Sequence, residues 1–163
     1  MRRGTAIGWA VALVTVLAGS VSLADGNIDP ANNFAWSENA GWVNFAPSNG
    51  NVTVTAGRGL SGYAWAENIG WIKLAAIGST YQNTTKNDWG VKLVGTALQG
   101  FAWSENAGWI NFVPSYGGVT ISRGWLKGYA WSENAGWIHL SNSPAYGVRT
   151  TANLSGATSL IIN

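Results

Sequence analysis

One dodecapeptide occurs four times in this chain with few changes. It reads FAWSENAGWVNF at 34–45, YAWAENIGWIKL at 63–74, FAWSENAGWINF at 101–112 and YAWSENAGWIHL at 129–140, so successive copies start 29, 38 and 28 residues apart. A recurring period in this range is the signature of a repeat architecture. Each unit of such a protein is too small to bury its own apolar face, and neighbouring units complete the core. Function is therefore to be sought in what every copy displays.

A single repeat is predicted to form three short β-strands. In the unit at 117–140, Val119 to Ile121 alternates apolar and polar residues, 126–131 forms a second strand-like run, and 137–140 forms a third. The connection at 132–136 contains Asn134 and Gly136, and we expect both residue types to take left-handed backbone angles there. We therefore predict an all-β fold of tandem three-stranded antiparallel repeats.

Comparison of the copies indicates which face of each strand is buried, because alternate residues of a strand point to opposite sides. The third strand has an aliphatic side, as at Ile110 and Ile138, and a side where tryptophan is followed by Asn, Lys or His. We expect the aliphatic side to face the core and the aromatic side to face outward. One alternative stays open, since bulges at Gly62, Gly100 and Gly128 would turn the aromatic residues of the second strand inward.

The two incomplete ends of the array predict how it closes. The array begins with a second and a third strand at 34–45 that lack a first strand, and it ends with an incomplete repeat at 146–163. That last repeat holds a first strand at 146–150 and a degraded second strand at 154–159. We favour a closed ring, propeller- or barrel-like, over an open stack with a terminal cap. An insertion at 75–88, rich in Thr and Asn, is predicted to be a surface loop.

Residues 1–24 are predicted to be a secretory signal peptide. Arg2 and Arg3 precede an apolar stretch at 6–18, and Ser22 and Ala24 supply the small residues wanted before a cleavage point. An uncleaved membrane anchor is less favoured, because the apolar stretch is shorter than the roughly 20 residues needed to span a bilayer. The remaining residues, 25–163, suit one β-repeat domain.

Charge argues against nucleic acid as a partner. The chain has 9 basic and 7 acidic residues, and removal of Arg2 and Arg3 leaves seven of each. The basic residues are scattered singly, so the clustered positive charge of a nucleic-acid binder is missing. We expect a secreted protein, located outside the cell, at its surface or in the periplasm, with no nucleic-acid partner and no transmembrane helix in the mature chain.

Catalytic residues are not evident in the sequence. The chain has no cysteine and one histidine, His139, at a position that is Asn or Lys in the other copies. Acid–base catalysis needs groups in unlike and defined settings, which a varying position does not supply. Asp25 to Asp29 spaces oxygen atoms like a calcium loop, but Pro30 replaces the needed glycine. We predict no enzyme activity, no metal site and no cofactor.

Tryptophan, glutamate and asparagine recur in every copy and are the candidate ligand-binding residues. Flat indole faces can stack on sugar rings while carboxylates and amides hold hydroxyl groups, a combination typical of ligand sites. The alternative is structural, with Asn at a left-handed turn position and Glu accepting N–H bonds. We favour the structural role, since exposed indoles leave much apolar area in water. The candidates are Trp36, Glu38, Asn39, Trp42, Trp65, Glu67, Asn68, Trp71, Trp103, Glu105, Asn106, Trp109, Trp131, Glu133, Asn134 and Trp137.

The motif GYAWSENAGWI, as it stands at 128–138, resembles a tandem repeat of secreted and surface-associated bacterial proteins. The match departs at Ala66, which replaces Ser, at Ile69, which replaces Ala, and at 31–33, which lacks the Leu-x-Gly step. The resemblance implies an exported bacterial repeat protein and brings no established activity. We expect a non-catalytic, structural or adhesive role at the cell exterior. The alternative is a multivalent, lectin-like carbohydrate-binding module, with glycans or other surface proteins as partners.

We predict that the mature protein begins at Asp25 and is found outside the cytoplasm, because the basic start and the short apolar stretch match a cleavable signal. Mass spectrometry of exported material would show the first residue. A retained Met1, or protein confined to the cytoplasm, would contradict this prediction.

Overall fold

The computed structural model describes residues 26–155, and these form β-strands and no helix. The predicted all-β fold class is confirmed. No stretch within these residues forms a helix long and apolar enough to cross a membrane. The predicted signal peptide at 1–24, its cleavage point before Asp25, and residues 156–163 of the last repeat lie outside the described residues.

Fourteen strands make up the described part of the chain. In order they are β1 (Ile28–Ser37), β2 (Gly41–Asn44), β3 (Thr53–Thr55), β4 (Gly59–Ser61), β5 (Tyr63–Ala66), β6 (Gly70–Lys73), β7 (Val91–Val94), β8 (Ala97–Ser104), β9 (Gly108–Asn111), β10 (Gly118–Ser122), β11 (Trp125–Ser132), β12 (Gly136–His139), β13 (Ser141–Asn142) and β14 (Tyr146–Thr150). The dodecapeptides form four antiparallel hairpins: β1–β2, β5–β6, β8–β9 and β11–β12.

The four hairpins join into a closed antiparallel barrel of eight strands. The second strand of each hairpin pairs with the first strand of the next, as β2–β5, β6–β8 and β9–β11. The last hairpin returns to the first through β12–β1, where Trp36 pairs with His139. The prediction of a closed ring is therefore confirmed, and its form is a barrel.

The remaining strands extend the barrel away from the hairpin turns. β14 pairs with both β1 and β11, so the strand predicted at 146–150 supplies the first strand that the opening unit lacks. β10 likewise joins β11 to β8, and β7 joins β8 to β4, which pairs with β3. Beyond β14, Leu154 and Ser155 are not in a strand, and the rest of the predicted degraded strand lies outside the described residues.

The barrel interior is aliphatic and arranged in layers of equivalent residues. One layer consists of four fully buried alanines, one from each hairpin, and each pairs across its hairpin with a buried Val or Ile. These residues are Ala35, Val43, Ala64, Ile72, Ala102, Ile110, Ala130 and Ile138. An eight-stranded barrel is just wide enough for side chains to fill, and small residues opposite branched ones meet that limit. The predicted inner face is confirmed.

Gly62, Gly100 and Gly128 do not turn the aromatic residues inward. All three have a positive φ, between 87° and 99°. On β11, Leu126 and Ala130 are nevertheless both buried, while the aromatic residues between and beyond them point outward. A Cβ on Gly128 would meet the carbonyl oxygen of Gly118 on the neighbouring strand. Glycine is therefore required by close backbone approach.

The insertion is exposed at most of its polar residues, as predicted, but it is anchored by two aromatic side chains. An isolated bridge between Ala75 and Gly90 closes its base. Tyr81 is buried and its hydroxyl donates to the Leu60 carbonyl oxygen at 2.8 Å. Trp89 is buried just beyond the predicted segment. The loop is therefore fixed to the barrel wall.

We expect Leu126→Ala to lower the free energy of unfolding by about 2–5 kcal/mol, because a buried leucine leaves both apolar contacts and a cavity behind. The adjacent Lys127→Ala is the matched control, since Lys127 is exposed on the other face of β11. Its effect should stay within about 0.5 kcal/mol. Denaturant melts measure both changes, and equal losses would contradict the assignment of the faces.

Candidate functional site

Each hairpin presents three aromatic rings on the outer surface of the barrel, here called triads 1 to 4. Triad 1 consists of Phe34, Trp36 and Trp42; triad 2 of Tyr63, Trp65 and Trp71; triad 3 of Phe101, Trp103 and Trp109; and triad 4 of Tyr129, Trp131 and Trp137. The two tryptophans of a triad are directly opposite across the hairpin. Such cross-strand aromatic pairs stabilise a hairpin by roughly 0.2–1 kcal/mol.

The rings of a triad pack edge to face. The two indole centroids are between 4.8 and 5.0 Å apart in all four triads. The Phe or Tyr ring lies 6.0 to 6.2 Å from the same third-strand tryptophan, which is therefore central to its triad. Seven of the eight indoles nevertheless remain 36–45% exposed, and Trp103 is intermediate. The three rings of each triad therefore hold one another in place, while part of their surface stays exposed to solvent.

A fourth ring extends two of the triads. Tyr146 lies 5.3 Å from Trp42 of triad 1, and Trp89 lies 5.2 Å from Trp109 of triad 3. Both rings come directly before a glycine, Gly90 just ahead of β7 and Gly147 at the start of β14. The residues before the corresponding glycines of the other two units, Asn49 and Tyr116, have left-handed φ values of 66° and 65°. The four triads are therefore not equivalent.

The repeated asparagines join neighbouring hairpin turns. The Asn68 side-chain nitrogen donates to the Asn39 carbonyl oxygen at 2.9 Å, that of Asn106 to Ile69 at 3.1 Å, and that of Asn134 to Ala107 at 3.2 Å. These bonds place the amides within the ring of turns, in agreement with a structural role. The prediction that Asn takes the left-handed turn position is wrong. Glycine takes it at the end of each turn, with φ between 68° and 74°.

Buried serines make a second connection between turns. Ser132 Oγ donates to the Ala107 carbonyl oxygen at 3.0 Å, and the Ala135 amide donates back to Ser132 Oγ at 3.3 Å. Ser37 and Ser104 bond to the turns beside them in the same way. The second copy has Ala66 instead, and there the Glu67 carboxylate accepts the Trp42 amide at 3.0 Å. A different group thus connects the turns at that junction.

The four glutamates do not share one arrangement. Glu67 binds a neighbouring backbone amide, and Glu105 accepts the Trp103 indole N–H at 3.4 Å. Within the described range 26–155, the carboxylates of Glu38 and Glu133 make no hydrogen bond. Two of the four predicted Glu positions therefore serve the fold, and the carboxylates of the other two, Glu38 and Glu133, are exposed.

A groove lined in part by the motif carboxylate Glu38 lies where the barrel closes. This closure groove, of about 490 Å³, is lined by Trp36 and Glu38 from hairpin 1 and by Trp131, Trp137 and His139 from hairpin 4. The His139 ring stacks on Tyr129 with centroids 4.1 Å apart, and its Nδ1 lies 3.0 Å from the Tyr146 hydroxyl oxygen. Burial lowers the pKa of His139, which favours the neutral ring as partner of that hydroxyl.

The predicted Trp, Glu and Asn residues therefore form four separate clusters, one on each hairpin, and not a single site. The closure groove combines candidates from the first and last copies, which the sequence places farthest apart. Sequence reasoning did not single out Tyr146 or Trp89. The available signal was an aromatic residue before glycine at the start of a unit, seen at Trp89, Tyr116 and Tyr146.

We expect Ser132→Ala to lower the free energy of unfolding by about 1–2 kcal/mol, because the buried Ala107 carbonyl and Ala135 amide lose a partner. Ser48→Ala serves as control, since Ser48 is exposed and its loss should matter by less than about 0.5 kcal/mol. Thermal and denaturant unfolding measure both. An unchanged stability of Ser132→Ala would show that the turns are held by other bonds.

Comparisons with known proteins do not supply a function for this barrel. No family model matches the chain, and neither curated proteins nor solved structures include a match. The resemblance of the motif to repeats of exported bacterial proteins stays a prediction, and no relative's activity transfers to these residues.

Proposed function

We propose that this chain is a non-catalytic, exported carbohydrate-binding protein whose aromatic triads attach it to glycan surfaces. The single observation that carries the proposal is that the core is complete without the triads. Four hairpins fill the barrel with aliphatic residues, while seven motif indoles keep 36–45% of their surface exposed. Contiguous exposed apolar surface on a folded protein marks a site of interaction. The proposal thus favours the carbohydrate-binding alternative over a purely structural role.

The chemistry around the rings suits sugars. A pyranose ring has an apolar face that packs on an indole, and its hydroxyl groups need donors and acceptors placed at the rim. Glu38 offers such an acceptor in the groove that Trp36 also lines, and Glu133 is an exposed carboxylate two residues after Trp131 in the chain. The closure groove adds the Tyr146 hydroxyl and a volume of about 490 Å³, enough for a short oligosaccharide segment.

The arrangement around the barrel adds avidity. Four triads on one rigid ring can meet several sugars of a polysaccharide, and weak individual contacts then combine into firm attachment. This gives the adhesive role a physical basis. It also explains how binding could persist although each triad buries part of its own surface in edge-to-face packing.

A protein partner is the second candidate, favoured by the fully exposed Tyr116 and the exposed Val113 in the segment between β9 and β10. Tyrosine and tryptophan are enriched in the centre of protein interfaces. A glycan array separates the two candidates, because a protein-specific surface would leave all immobilised sugars unbound.

We expect the mature protein to bind one class of polysaccharide and to shield its tryptophan fluorescence from a soluble quencher in doing so. Trp137→Ala should weaken binding by a few-fold, because three triads remain. Removing Trp42, Trp71 and Trp109 as well should abolish binding while the far-ultraviolet spectrum stays that of a folded β protein. Trp137→Phe, which keeps a ring, is the matched control. Unfolding by Trp137→Ala alone, or no binding on the array, would reject the proposal.

A further inference from the structure

The insertion predicted at 75–88, whose base is closed by the bridge between Ala75 and Gly90, forms a wall beside triad 3 that the other three units lack. Its fold is fixed by many hydrogen bonds. The Asp88 carboxylate accepts from the Ser79 hydroxyl at 2.9 Å and from the Thr80 amide and hydroxyl. The Arg58 guanidinium donates to the Ser79 carbonyl at 3.0 Å, and Asn83 Oδ1 accepts the Gly90 amide at 3.1 Å. These hydrogen bonds give the insertion a defined conformation beside triad 3.

A groove of about 410 Å³ lies between this wall and the barrel, here called the insertion groove. Its floor is aromatic and consists of Phe101, Trp109 and Trp89. Trp89 packs edge to face on Trp109 with an interplanar angle of 85°. Residues 83–86 of the insertion form the facing side. The groove thus offers flat apolar surface on one side and polar groups on the other.

The charge of the insertion groove differs from that of the closure groove. Lys86 is the one charged side chain among the residues that line it, whereas Glu38 lines the closure groove. Within residues 26–155, the salt bridge that forms joins Arg149 to Asp29, so Lys86 has no carboxylate partner. Thr84 lines the same groove, and the Asn83 side-chain amide is already engaged by backbone groups.

We infer that the insertion groove binds an acidic sugar residue, a hexuronate whose ring face packs on Trp109 and Phe101 while its carboxylate meets the Lys86 ammonium. This inference rests on the proposed carbohydrate-binding function and names the sugar class for one of its sites. An aromatic floor recognises a ring face, and a cation without an internal partner selects an anionic substituent. The neutral equivalent of the same sugar lacks the second contact.

The test compares oligogalacturonate with its methyl ester, which keeps the ring and removes the charge. We expect the mature protein to bind the free acid about three- to tenfold more tightly at low salt, the range of one charge-assisted contact at a partly exposed site. Lys86→Gln should abolish this preference without changing affinity for the ester. Lys127→Gln, which removes an exposed lysine of β11 outside the groove, should keep the preference.

The outcomes separate the two proposals. Equal affinity for acid and ester, with Lys86→Gln unchanged, overturns the acidic-sugar inference and leaves carbohydrate binding in place. Absence of any glycan binding by the wild-type protein removes both. Competition by sodium acetate at the concentration of the sugar would also overturn the inference, because the ring would then play no part. Trp109→Ala should weaken binding of acid and ester alike.

Discussion

The barrel depends on the pairing of β1 with β12 and β14, which joins the first described strand to the last ones. Each hairpin alone has one apolar face and two open edges, and an isolated hairpin is marginal in water. Closing the ring gives every hairpin a neighbour on both sides and removes the open edges that a linear array would keep. The layers of alanine, valine and isoleucine can then form a single interior, since each unit supplies one part of every layer.

Much of the fold could be predicted because the copies differ mainly on their outer side. Alternation of aliphatic and variable residues identified Ile110 and Ile138 as core, and the missing first strand at one end matched the extra strand at the other. The hydrogen bonds that join neighbouring hairpin turns could not be predicted in the same way. The partner of Ser37 is the Ala135 carbonyl, 98 residues away, and a local pattern contains no trace of that contact. Gly136, not Asn134, takes the left-handed position.

The sequence allowed prediction of which residue types make up the candidate site, but not of how these residues are arranged in the barrel. Tryptophan, glutamate and asparagine were identified because they repeat, yet the structure uses Asn106 and Glu67 to connect turns. The rings that make the triads unlike one another, Trp89 and Tyr146, stand outside the dodecapeptide. Repetition therefore indicates the shared scaffold, and the differences between units indicate where recognition of particular ligands would arise.

Asn27, the residue before β1, hydrogen-bonds to two segments that are distant in sequence, at Val52 and at Thr151. Its backbone amide donates to the Val52 carbonyl at 3.0 Å, and its backbone carbonyl accepts the Thr151 amide at 2.8 Å, so the chain just before β1 lies beside the chain just after β14. Repeat arrays that remain open lose structure from their terminal units, which have one neighbour each. In this barrel the hairpins follow one another around the ring in chain order, and each has a neighbour on both sides, so none of the four is a terminal unit.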